Sequence, residues 1–188
     1  MLRSSLTWLI LISWFAATET TAQQSVYERT GVPGEMSESR FVLVAARDGV
    51  ELHAGPDLRT PARSVAYRSG WLIPYGGTLV RTLEPVEAST TGAGSVEVRC
   101  DQSEARQMDL RKGESWTYLQ SHGEGRGMAR LQGKICEVPV LTRTDVFGAT
   151  LSKPLVQWWV QFLYGDGTSP GWLLVNADSV TFGWRRCC

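Results

Sequence analysis

Turn residues punctuate this chain so closely that long helices have no room to form. Gly55-Pro56, Gly76-Gly77 and Asp166-Gly167 separate short runs rich in Val, Leu, Trp and Tyr. Runs of roughly four to eight such residues, bounded by Gly and Pro, are strand signals. The expected class is therefore mainly β. Arg40 to Ala45 (RFVLVA) reads as one strand. Val156 to Tyr164 (VQWWVQFLY) reads as another, and its alternation sorts the residues by face. Val156, Trp158, Val160, Phe162 and Tyr164 form a wholly apolar face expected to meet the core. Gln157, Trp159, Gln161 and Leu163 form a mixed face expected to border solvent or a ligand. After the turn cluster 165–171, Trp172 to Val175 reads as the returning strand. Only Glu104 to Lys112 (EARQMDLRK) resembles a helical turn or two.

Composition narrows the function classes. The 188 residues are 43% hydrophobic and include eight Trp, five Tyr and five Phe, enough to build one domain with an elaboration. Nineteen basic and nineteen acidic residues leave a formal charge of zero. No electrostatic footprint for nucleic acid or for an anionic membrane follows from that balance.

Residues 1–22 carry a basic Arg3, an apolar run from Leu6 to Ala17 and small residues Thr20 and Ala22, the pattern of an export signal. The apolar run is shorter than the ~20 residues a membrane-crossing helix needs. The mature chain is expected to begin near Gln23 with a flexible leader over 23–39 and no membrane span. It is expected in the periplasm or as a secreted protein. Export favours disulfides among Cys100, Cys136, Cys187 and Cys188. Cys100 with Cys136 is the preferred pair, since each flanks a β-prone stretch. Closing that loop stabilises by roughly 3.5 to 4 kcal/mol in the chain-entropy model. Cys187 and Cys188, in the tail 183–188, are adjacent and bridge each other only in a strained ring, so their pairing stays open. Zinc held by these thiols with His53 and His122 lacks the C-x-x-C and H-x-x-H spacings of specific sites. No metal or cofactor is expected.

Two stretches carry a family resemblance. Glu51-Leu52-His53-Ala54-Gly55-Pro56 resembles the opening of bacterial Src-homology-three-like domains, whose first long loop reads Asn-Val-Arg-x-Gly-Pro. Trp159-Val160-Gln161-Phe162, then Asp166-Gly167, then Gly171-Trp172-Leu173, resembles that family's ending, a Trp-x-x-Val, a Gly turn and Gly-Trp-Val. Leu52-His53, Phe162 and Leu173 depart from the family pattern. The resemblance implies a small Src-homology-three-like barrel over 40–182. The middle, about residues 85–154, is then a disulfide-stapled β insertion. Within it Val96 to Arg99, Trp116 to Gln120, Met128 to Leu131 and Val138 to Leu141 are expected as extra strands. A rival reading makes Trp116 to Leu119, with Gly123, Gly125 and Gly127, the end of a first barrel of two.

The sequence has no H-E-x-x-H and no P-loop, and Gly123 to Gly127 reads as a hairpin loop. His53 and His122 are the only imidazoles available as bases. Asp48, Glu51 and Asp57 are close enough along the chain to raise glycoside cleavage, but solvated loop charges are the simpler account. Recognition is the reading that remains. The resemblance implies a ligand groove bordered by His53, Asp57, Tyr67, Trp71, Tyr75 and Trp159, and peptidoglycan or an envelope protein as partner. Arg59, Arg63 and Arg68 suit carboxylate recognition. Two other classes stay open: an inhibitor or immunity-type protein that blocks a partner's cleft, and a small envelope hydrolase.

Overall fold

The computed structural model describes residues 27–31, 41–101 and 103–184. The expected export signal and the tail cysteines Cys187 and Cys188 lie outside the described residues. The chain runs through β1 (Glu28–Thr30), β2 (Phe41–Ala45), β3 (Val50–His53), β4 (Ala62–Val65), β5 (Leu72–Ile73) and β6 (Tyr75–Glu84). There follow β7 (Val86–Ser89), β8 (Gly94–Cys100), β9 (Arg106–Leu110), β10 (Ser115–Gly123), β11 (Arg126–Leu131) and β12 (Lys134–Val138). A single helical turn α1 (Thr144–Phe147) precedes β13 (Leu155–Phe162), β14 (Gly171–Leu174) and β15 (Val180–Trp184).

These strands build two lobes. One holds a six-stranded sheet in the order β1-β6-β13-β14-β3-β4 and a three-stranded sheet β15-β2-β5. Leu43, Leu52, Ile73, Val80, Trp158, Val160, Phe162 and Leu173 fill the core of this lobe. The second lobe is made wholly between β6 and β13, as a sheet ordered β7-β10-β11-β12-β8-β9. Its separate core includes Val96, Val98, Leu110, Trp116, Leu131, Val138 and Phe147. The fold is mainly β and all sheets are antiparallel, but none closes into a barrel. No helix among the described residues is long and apolar enough to cross a membrane.

Alternation explains the second sheet. In β8, Val96, Val98 and Cys100 point inward while Glu97 and Arg99 stay exposed. Cys100 therefore faces Cys136 directly across the β8–β12 ladder, and the two form a disulfide with S–S at 2.05 Å. The β10–β11 hairpin turns at Glu124-Gly125, both at positive φ (49° and 75°), the backbone that two-residue hairpin loops demand.

Three local expectations are corrected. Glu104 to Lys112 is not helical: Arg106–Leu110 forms β9, because Met108 and Leu110 are buried at a spacing of two against β8. Val138 to Leu141 is not a strand, since β12 ends at Val138, Pro139 has no N–H to extend the ladder, and Val140 N–H turns back to the Val138 carbonyl at 3.0 Å. Within the leader, Glu28–Thr30 forms an edge strand on β6, with Arg29 opposite Val80. The turn α1 had no sequence signal strong enough to announce it, yet it buries Val146 and Phe147.

Candidate ligand-binding surface

The residues singled out from the sequence divide into two groups. Tyr67 and Trp71 lie in the connection between β4 and β5 and join a row of rings. Trp71 meets Tyr67 edge-on, with centroids 5.5 Å apart and planes at 82°. Tyr67 meets Phe162 at 5.5 Å and 85°, and Phe162 meets Tyr164 at 5.9 Å and 82°. Edge-to-face contacts of this kind add about 0.5–1.5 kcal/mol each beyond area burial. Phe162 is buried and anchors the row in the core, whereas Trp71 (51%) and Tyr164 (43%) are exposed. Tyr75 pairs with Phe162 across the β6–β13 ladder and packs on the same core.

Backbone and charge hold the exposed end in place. The Tyr67 hydroxyl donates to the Leu72 carbonyl, and partial burial raises its pKa above the usual tyrosine value. Ser69 N–H donates to the Asp48 carboxylate at 2.8 Å, and Gly70 N–H to the Ala45 carbonyl at 2.9 Å. The Arg68 guanidinium lies 5.5 Å from the Trp71 ring centroid, a cation–π placement. Leu72, 61% exposed, extends the apolar surface beside Trp71. The row can stack on planar or apolar parts of a ligand, and Arg68 supplies a cation next to them.

His53, Asp57 and Trp159 stand apart from this row. Trp159 is fully buried (0%) and His53 nearly so (6%). Trp159 therefore offers no ring to a ligand, contrary to the expectation that the mixed face of β13 borders one. His53 Nδ1 lies 3.3 Å from the Thr60 carbonyl, and the ring borders a shallow cavity of about 180 Å³ with Glu51, Leu58 and Asp178. Asp57 accepts from Arg59 Nη2 at 2.6 Å and from Arg59 N–H at 2.9 Å. Those bonds hold its carboxyl well below the usual carboxylate range. They fix the loop rather than leave the carboxylate open to a ligand.

The arginines nominated for carboxylate recognition are likewise engaged. Arg59 pairs with Asp57, Arg63 donates to the Pro170 carbonyl at 2.9 Å, and Arg68 covers Trp71. Zinc held by Cys100, Cys136, His53 and His122 does not fit this arrangement. Cys100 and Cys136 are consumed in the disulfide, while His53 and His122 lie on different lobes.

Sequence reasoning missed Phe162 and Tyr164 as parts of the site. Tyr164 continues the period-two pattern of β13, but the strand ends at Phe162 and leaves Tyr164 at the surface. The available signal was its position directly before the Gly165 to Gly171 turn cluster. In comparisons with protein-family models, curated proteins and solved structures, nothing matches this chain.

Proposed function

We propose that this chain is an exported, non-catalytic binding module of the Src-homology-three-like kind, enlarged by the inserted lobe, that recognises peptidoglycan or an envelope protein through the Trp71-Tyr67-Phe162-Tyr164 row. The carrying observation is that two large aromatic rings, Trp71 and Tyr164, stand exposed at the ends of a four-ring row in which Phe162 is a core residue. Exposed aromatics cost hydration unless a partner covers them, and rigid ones bind with little entropy loss. The strand order supports the fold reading. β6, β13 and β14 form a meander, and β15 returns to pair with β2, bringing the last strand of that lobe back beside its second.

Retention of the purified chain on cell-wall sacculi, lost on Trp71→Ala with the fold intact by circular dichroism, is the expected result. Because Trp71 is half exposed, its truncation should cost only about 1–2 kcal/mol and leave the fold intact. Equal retention of the variant overturns the assignment of the row. Capture of one envelope protein in place of sacculi selects the protein-partner arm, loss of that protein's own activity on binding selects the inhibitor reading, and turnover of wall fragments lost on His53→Ala selects the hydrolase.

A further inference from the structure

The strand β1 is short and contributes no residue to either core. Its neighbours in sequence address different lobes. Glu28 accepts from Arg81 on β6 at 2.6 Å, and Arg29 donates to His122 Nδ1 on β10 of the inserted lobe. These partners are 53 and 93 residues away along the chain. Two backbone bonds flank the contact: Thr82 N–H donates to the Tyr27 carbonyl at 2.9 Å, and Gly31 N–H to the Thr78 carbonyl at 3.3 Å.

A guanidinium only donates, so Nδ1 of His122 must present its lone pair to Arg29. An imidazolium has no such lone pair. We propose that β1 is an acid-labile strap, tied to the inserted lobe by the Arg29–His122 bond while the imidazole is neutral and released when it takes a proton. Protonation replaces a hydrogen bond by two cations in contact, in a site that is part buried.

The charges acting on His122 come from β1, β11, β12 and the β10–β11 hairpin. Arg29 on β1 and Arg126 on β11 oppose protonation, while Glu137 on β12 and Glu124 in the hairpin favour it. Arg126 and Glu137 pair with each other at 2.6 Å and so offset one another. Burial is the largest influence and, with Arg29 next, lowers the histidine pKa. A lowered folded value means that the contact is fully present above the ordinary histidine pKa of about 6.5 and is lost as pH falls through the lowered value.

Hydrogen exchange on the full chain tests the strap from about pH 7.5 down through the pH at which NMR shows the His122 ring to take its proton. Protection factors, which remove the intrinsic pH dependence of exchange, are the readout. At the Gly31 and Thr82 amides they are expected to fall at least tenfold in the parent and to stay level in His122→Gln, which keeps an acceptor that does not titrate. A level profile in the parent, or the same fall in the variant, overturns the proposal. Should the variant not fold, an NMR titration of the parent decides. The midpoint of the His122 ring must coincide with the loss of protection, and separation by more than one pH unit overturns the strap.

Discussion

The His53 and Trp159 rings stand perpendicular to each other, with a centroid distance of 5.3 Å and an interplanar angle of 88°. Both rings are buried, and Trp159 Nε1 donates to Gln157 Oε1 at 3.2 Å. The mixed face of β13 thus supplies the polar partner that a buried indole needs. This pair forms an internal wall, and the ligand-facing aromatics lie elsewhere, at Trp71 and Tyr164.

Trp159→Ala should therefore act on stability. Truncating a fully buried Trp typically costs about 3–5 kcal/mol, which is a large share of the stability of most domains. Urea unfolding followed by far-UV circular dichroism measures it. A loss under ~1 kcal/mol would mean that the ring is not packed as described.

The disulfide should matter most to the inserted lobe. Cys100→Ser with Cys136→Ser removes a bridge across a separation of 36 residues, worth about 3.5–4 kcal/mol in the chain-entropy model. Because the two lobes have separate cores, the inserted lobe should then melt first, splitting one transition into two. Calorimetry of parent and variant reads this directly. An unchanged single transition would show that the bridge carries little of that lobe's stability.

Gly171→Ala probes the pinch between β14 and β3. A Cβ at Gly171 would stand 2.5 Å from the His53 carbonyl oxygen, a backbone atom that cannot swing aside. The neighbouring pair Trp172 and His53 is the register match joining these strands. The expected cost is about 1–3 kcal/mol, the usual range for overpacking. A thermal midpoint equal to that of the parent would contradict so close an approach.

Much of the strand content was legible because period-two burial is a local signal: Trp158, Val160 and Phe162 turn inward as their alternation requires. The disulfide followed from β-prone flanks that place Cys100 opposite Cys136. Other features depended on partners distant in sequence. Glu104 to Lys112 has good helix formers, but pairing with β8 outweighs that weak local preference. Trp159 is buried although its face of β13 carries glutamines, because β6, β14 and His53 surround it. Three-residue β1 has no apolar pattern to read and is held by an ion pair and a hydrogen bond to side chains 53 and 93 residues away. Tyr67 and Trp71 were identified, but the ring that unites them with Tyr164 is Phe162, which alternation marks only as core.

Glu84 and Leu155 sit opposite one another on the β6–β13 ladder. The polypeptide consequently departs for the inserted lobe and comes home at a single doorway, so that the excursion lengthens a hairpin without parting its strands. The alignment of the sheet bearing the aromatic row is thus set at the threshold itself, by the residues just before the lobe begins and just after it ends.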